Sequence, residues 1–233
     1  MPNQSPDPLI ADAASPRLVA IVPVGALDGA KSRLGAVLDA EERLELTVRL
    51  ARRTIAAAVA ANRVDEVLVI TPDDAIRALA LELGGRPIRQ RDNGLNHGLV
   101  AARDEAVAAG ASAILILPID LPDVTPEAVD AVAAPLDDGD RPLVAIVPDR
   151  HGRGTNALLI APPEAIDVCF GGDSALAHEA GARSAGARLV VLGGPLALDL
   201  DTPDDLLLAE ASLRASKEAE GSTQPVPEPV DVG

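Results

Sequence analysis

Aromatic residues are almost missing from this chain of 233 residues: it has no Trp or Tyr, and Phe170 is its single Phe. A core without rings must be packed from Ala, Val, Leu and Ile. A surface without rings cannot stack the bases of single-stranded nucleic acid. Cationic excess is missing too. The 20 Lys and Arg stand against 36 Asp and Glu, a formal net charge of −16, which excludes the basic footprint of a DNA- or RNA-binding protein. One cysteine, Cys169, cannot form an internal disulfide, in keeping with a reducing compartment. The first ten residues hold no Lys or Arg, against a signal peptide. No apolar run nears the roughly 20 residues that span a bilayer. These absences lead us to expect a cytoplasmic protein with neither a membrane nor a nucleic-acid partner. What the chain does have is 48% apolar residues, enough core for one domain of this length. Any anionic ligand would need local cations or metal ions to hold it against the overall charge.

Residues 1–16 are rich in Pro and Ala and read as a disordered arm; residues 215–233 carry Pro225, Pro227 and Pro229 and read as a disordered tail. Between them, residues 17–214 form one expected domain in which strand and helix signals alternate. Apolar strand runs occur at Arg17 to Val24, Glu66 to Thr71, Ala113 to Leu117, Leu143 to Val147, Ala157 to Ile160 and Arg188 to Leu192, with a short strand around Ile88. Helices are expected at Glu41 to Ala61, capped by Asp39 with Leu44, Val48, Ala51, Ile55 and Val59 as its apolar stripe, and at Asp73 to Leu83 and Leu95 to Ala109. Three more follow at Pro126 to Ala134 behind Thr125, Ser174 to Ala182, and Pro203 to Ala215 behind Thr202. Continuous apolar strands alternating with helices give an α/β fold with a mainly parallel central sheet covered on both faces. Ligands in such folds bind beyond the carboxyl ends of the strands.

The polar residues worth attention follow the strands. After the first strand comes Gly25-Ala-Leu-Asp-Gly-Ala-Lys31-Ser-Arg33. Backbone N–H groups of such a loop can approach phosphates, with Lys31 and Arg33 adding charge. It is not a P-loop, because Ala30 stands where a glycine should precede the lysine; a plain strand-to-helix turn with solvated charges is the competing reading. Asp120 leaves the most apolar strand between Pro118 and Pro122. It suits a hard cation such as Mg²⁺, or else a turn bonded to its own backbone. In Leu198-Asp199-Leu200-Asp201-Thr202 the two acids share one side of an extended segment and the leucines the other. Two carboxylates on one side repel unless a cation lies between them or one is protonated. Helix capping by Asp201 or Thr202 explains one acid, not the pair. The Gly152/Gly154 loop before Thr155 leads into a strand, which rules out a dinucleotide fingerprint, yet it can bind phosphate oxygens. Ser174 opens a helix, where an anion is favoured, though Asp173 or Ser174 as a plain N-cap fits as well. Cys169 shows no sign of activation, and a buried or incidental thiol is the default. His97, His151 and His178 lack metal-ligand spacing and read as surface or capping residues; His97 lies in the polar turn Asp92 to Gly98, beside Asn96.

In order along the chain, Lys31-Ser32-Arg33-Leu34, Thr71-Pro72-Asp73, Leu95-Asn96, Asp120-Leu121-Pro122, Asp149-Arg150 with Gly154-Thr155, Phe170-Gly171-x-Asp173-Ser174 and Asp199-Leu200-Asp201-Thr202-Pro203 resemble the phosphoenolpyruvate or 2-phospho-L-lactate guanylyltransferases. That family makes the deazaflavin electron carrier coenzyme F-420. The likeness runs from about Leu18 to Leu208, with Gly172 and the proline-rich tails as departures. It implies a three-layer nucleotidyltransferase fold of the glycosyltransferase-A kind. It implies that Asp120, Asp199 and Asp201 ligate Mg²⁺ as the catalytic set, and that Thr155, Gly171 and Ser174 bind the acceptor phosphate. Lys31, Arg33 and Asn96 are then candidates for the nucleotide, the first two for the departing phosphates. The expected partners are GTP and a small phosphorylated carboxylic acid, and the chain is compatible with a homodimer. Phosphoenolpyruvate, 2-phospho-L-lactate and 3-phosphoglycerate remain open as acceptors. A same-fold enzyme for molybdopterin or a sugar phosphate, and a non-catalytic GTP-binding protein, are the alternatives.

Overall fold

The computed structural model describes residues 16–91 and 94–210. The expected arm (save Pro16), the expected tail and the last helix beyond Glu210 lie outside the described residues. Seven strands form one sheet in the order β3-β2-β1-β4-β6-β5-β7. They are β1 (Leu18–Pro23), β2 (Glu66–Thr71), β3 (Arg86–Arg89), β4 (Ala113–Ile116), β5 (Leu143–Pro148), β6 (Thr155–Ala161) and β7 (Arg188–Val191). Only β6 is reversed, pairing antiparallel with β4 and β5. The reason is local: the connection from β5 is residues 149–154, far too short for the crossover that a parallel pair needs.

The helices are α1 (Ala40–Ala60), α2 (Asp74–Glu82), α3 (Leu95–Ala108), α4 (Pro126–Ala133), α5 (Ser174–Ser184) and α6 (203–210). Alternation along β1 sorts them into two layers. Leu18, Ala20 and Val22 enter a core shared with α1, α2 and α4. Val19 and Ile21 enter one shared with α3 and α5. All five are fully buried, and both cores are aliphatic but for Phe170 at the margin of the second. Caps fall where the sequence places them. Asp39 and Glu42 form a capping box on α1, while Asp73 and Thr125 bond the first turns of α2 and α4. The apolar stripe of α1 needs correction. Leu44 and Val59 are 42% and 38% exposed; the buried face is Leu46, Thr47, Leu50, Ala51, Thr54, Ile55, Ala57 and Ala58. Thr47 escapes a hydrophobic reading because its hydroxyl donates to the Arg43 carbonyl at 2.7 Å, which lets it face inward.

A third, small core decides the site. Leu34, Leu46, Leu50, Leu200 and Ala209 pack together, pinning the loop after β1, the middle of α1 and the segment before α6 at one end of the sheet. The switch point of the strand order, between β1 and β4, opens at this end.

Candidate active site

A cavity of about 510 Å³ lies beyond the strand ends, lined by Asp120, Thr155, Gly171, Ser174, Asp199 and Asp201, with Arg33, Arg150 and Asp205 among its other walls. Leu200 explains how distant aspartates meet. Its side chain is buried in the third core, so Asp199 and Asp201 are turned to the other side. Its N–H donates to the Asp120 carbonyl at 2.8 Å, and its carbonyl accepts from Lys31 Nζ at 2.7 Å. The ammonium also reaches Asp201 Oδ1 at 3.1 Å and Asp120 Oδ2 at 3.5 Å. Lys31 is held in a left-handed backbone conformation, φ 50°, and its side chain is only 10% exposed. It is a tethered cation set between two carboxylates. Arg33 bonds Asp201 Oδ2 at 3.2 Å but is 74% exposed, so that pair adds little.

Asp199 is the unsatisfied member. No ion pair reaches it among the described residues, and its carboxyl is pushed above the ordinary range, first by burial and then by the Asp120 carboxylate, with Asp201 and Asp205 adding to it. Asp201 is not the cap of α6. Thr202 and Asp205 cap each other: the Asp205 carboxylate accepts from Thr202 N–H at 2.7 Å, Thr202 Oγ1 at 2.8 Å and Asp201 N–H at 3.1 Å. Arg150 pairs with Asp205 at 2.7 Å. Burial raises Asp205, but the Thr202 bonds, Asp201 N–H and Arg150 outweigh it and hold it low.

The fit to a divalent cation can be judged from this set. Five aspartates line the cavity, Asp120, Asp149, Asp199, Asp201 and Asp205, against Arg33 and Arg150. Two of the five are compensated within the fold. Asp149 accepts from the N–H groups of His151, Arg153 and Gly154 at 2.9–3.0 Å; burial raises its carboxyl, and these N–H groups outweigh that and hold it low. Gly154 is required there, since a Cβ would meet Asp149 Oδ2 at 2.8 Å. Asp205 has Arg150. The remaining three are all-oxygen, hard donors with surplus negative charge, which suits Mg²⁺. Among the described residues no three His, Cys, Asp or Glu side chains already converge as ligands; the Lys31 ammonium stands between Asp120 and Asp201.

Another part of the lining is neutral and buried. Thr155 opens β6, and Ser174 opens α5; they are 5% and 3% exposed. Asp173, at the N-cap, makes no capping bond and pairs with Arg153 at 2.9 Å. The N–H groups of Ser174 and Ala175 are taken by the carbonyls of Gly171 and Arg153, so neither is free for an anion. Nothing stands within 4 Å of the missing Cβ of Gly171, so that side is open. Asn96 does not line the cavity; Leu95 does. Its amide accepts from Phe170 N–H at 2.8 Å and donates to Phe170 carbonyl at 2.9 Å, fixing the loop that carries Gly171. His178, expected as a surface or capping residue, is neither. It is fully buried, bonds Thr155 Oγ1 through Nδ1 at 3.0 Å and accepts from Cys169 N–H through Nε2 at 3.1 Å. A signal existed: it lies one helical turn beyond Ser174, on the same face. Cys169 itself is exposed, not buried. A neighbouring cavity of about 360 Å³ is lined by Val24, Gly25, Pro72, Gln90, Arg91 and Leu95, sharing Leu95 with the first. No described helix is long and apolar enough to cross a membrane.

The family of CofC-like guanylyl transferases matches residues 18–217. A phosphoenolpyruvate guanylyltransferase of Sphaerobacter thermophilus is 41% identical over 207 residues, 88% of this chain and 99% of the relative. One from Rubrobacter xylanophilus is 44% identical over 194 residues, 83% and 93% of the two chains. Among solved structures, a nucleotidyl transferase from Methanothermobacter aligns with a TM-score of 0.62 at 18% identity, covering 85% of this chain and 99% of its own. CMP:2-keto-3-deoxy-manno-octonic acid synthetase complexed with CTP aligns at 0.57 and 15%, covering 87% and 99%. At these identities the structural likeness establishes the nucleotidyltransferase fold.

Proposed function

Because the chain belongs to the CofC-like guanylyl transferase family, we propose that its cavity transfers GMP from GTP to the phosphate of phosphoenolpyruvate, or of 2-phospho-L-lactate, in coenzyme F-420 biosynthesis. An acceptor phosphate oxygen bonds to the α-phosphorus of GTP, the bond to the β-phosphate oxygen breaks, and pyrophosphate leaves. The nucleophile is already ionised near neutral pH, so no general base is needed. What must be overcome is the approach of two polyanions and the charge on the leaving group.

Each wall takes one of these tasks. Asp120, Asp199 and Asp201 would hold Mg²⁺, which when bound screens the two polyanions and stabilises the leaving charge. Lys31 is drawn from its carboxylates toward the departing phosphates, with Arg33 at the rim. The hydroxyls of Thr155 and Ser174, beside the open face of Gly171, orient the acceptor phosphate. Asn96, by fixing the Phe170 loop, supports the acceptor side beside Gly171 instead of touching the nucleotide. We place the guanine in the adjoining cavity, beside Gly25, Gln90 and Arg91.

The observation that carries this reading is the double backbone tie of Leu200, to Asp120 and to Lys31. It joins three carboxylates and a tethered cation at one side of a cavity that the Thr155 and Ser174 hydroxyls also line. The test is pyrophosphate release on mixing the protein with GTP, Mg²⁺ and a panel of phosphoenolpyruvate, 2-phospho-L-lactate, 3-phosphoglycerate and a sugar phosphate. Release is expected with one of the first two. Release with the sugar phosphate alone would reassign the acceptor. GTP binding without release for any acceptor would make the protein a non-catalytic binder.

A further inference from the structure

We propose that His178 is a positioning residue that fixes the direction of the Thr155 hydroxyl, so that its proton is offered to the acceptor phosphate. This rests on the reading of Thr155 as a phosphate ligand. Proton counting leads to it. Cys169 N–H can only donate, and it points at Nε2 at 3.1 Å. That nitrogen must therefore carry a lone pair. A neutral imidazole then has its proton on Nδ1. Nδ1 lies 3.0 Å from Thr155 Oγ1, so the ring donates and the hydroxyl oxygen accepts. A hydroxyl has one proton. With His178 as the donor, the Thr155 proton has to go elsewhere, and Thr155 lines the cavity. The opposite tautomer would set two N–H donors against each other at Cys169.

The surroundings keep the ring neutral and in place. His178 is fully buried, and burial holds its pKa down to about 4. Phe170 meets it edge-on, with ring centroids 5.3 Å apart at 66°. One imidazole thus braces both parts of the acceptor wall: Thr155 on β6, and through Cys169 the loop that carries Phe170 and Gly171. A charged ring would donate from both nitrogens and repel the Cys169 N–H. In the neutral form a single acceptor nitrogen and a single donor nitrogen match their neighbours.

Two measurements on the full chain test this. The first is the pair of ring-nitrogen shifts of ¹⁵N-histidine-labelled wild type, with His178 assigned by comparison with His97→Gln and His151→Gln. The expected result is a proton on Nδ1 and a bare Nε2 at pH 7. The second is kinetic. His178→Asn puts an amide N–H near the Nδ1 position and can still donate to Thr155, whereas His178→Gln puts its amide near Nε2 and serves only Cys169. The acceptor KM should rise about tenfold or more in His178→Gln, stay within a few-fold of wild type in His178→Asn, and leave the GTP KM unchanged in both. An Nε2-protonated or doubly protonated ring would overturn the proposal whether or not the variants fold. So would equal acceptor KM values in the two variants. Thr155→Val separates this from the reading beneath it. If that variant keeps a normal acceptor KM, Thr155 is not a phosphate ligand and both fall. If it is impaired while the ring is protonated on Nε2, Thr155 keeps its role and His178 loses its own.

Discussion

The two walls of the cavity are built on opposite principles. The acidic wall, Asp120, Asp199 and Asp201, is frustrated: its carboxylates crowd one another, and Asp199 is raised by burial and by Asp120. Its one sheltered cation among the described residues is Lys31, with the exposed Arg33 reaching Asp201 from the rim. The hydroxyl wall, Thr155 and Ser174 with His178 behind them, is neutral, and His178 is matched at both ring nitrogens, by Thr155 and by Cys169. Such a contrast suits a reaction between two anions. One wall stores unmet negative charge that only an added cation can satisfy. The other keeps fixed dipoles that cost no reorganisation when a phosphate arrives. Strain of this kind persists only where the surrounding fold over-determines it, and the Leu200 anchor in its own small core does so here.

Removing one acid should break the contrast most severely. Asp120→Asn or Asp201→Asn should lower turnover by about two orders of magnitude or more while the protein stays folded, because the proposed cation site loses a ligand. Pyrophosphate release and circular dichroism together check this; near-normal turnover would leave these acids as partners of Lys31 only. Next in size is acid sensitivity of the neutral wall. The folded pKa of His178 is about 4, below the roughly 6.5 of an unfolded chain, so its contribution to stability is present above 6.5 and lost as pH falls toward 4. The loss is on the order of 3 kcal/mol. Urea unfolding of wild type and His178→Asn between pH 7 and 4 isolates it as the difference between their slopes. If the two run parallel, the imidazole is not held neutral.

Ser174→Ala probes the same wall more gently. The acceptor KM should rise about tenfold, since one bond to a charged phosphate is lost, while the GTP KM holds. Because Asp173 and Ser174 make no side-chain capping bond on α5, little change in melting temperature is expected. Equal effects on both substrates with a lowered melting temperature would point instead to a structural role.

Much of this was readable in the sequence, and the failures have identifiable causes. Asp120 announced itself by leaving the most apolar strand, and Asp199 and Asp201 by their spacing around an inward-facing leucine. These are local patterns, and the residues they single out line one cavity. The caps at Asp39, Asp73 and Thr125 were equally local. The face of α1 was misjudged because two of its buried positions, Thr47 and Thr54, are polar by type. The reversal of β6 had a cue in the short 149–154 connection. Lys31 between the carboxylates and His178 behind Thr155 are different. Their partners, Asp120, Asp201, Thr155 and Cys169, come from other elements; only the one-turn spacing from Ser174 hints at the side His178 faces. Asn96 sits where a ligand contact was expected and turns out to hold the Phe170 backbone.

The contrast between the walls comes down to one residue, Asp199, whose ionised form the metal-free fold disfavours. With its folded pKa raised above the unfolded value, this residue's contribution to stability is fully present below the unfolded pKa and is lost as pH rises through the folded one. Asp199→Asn should therefore melt at the same temperature as wild type or slightly higher at pH 7 without metal. The decisive measurement is the melting temperature of both proteins with and without Mg²⁺ and GTP. Wild type should gain several degrees through ligand linkage, and Asp199→Asn should gain much less. An equal gain in both, or a metal-free variant that melts well below wild type, would contradict the account of the acidic wall as a cation site held in reserve.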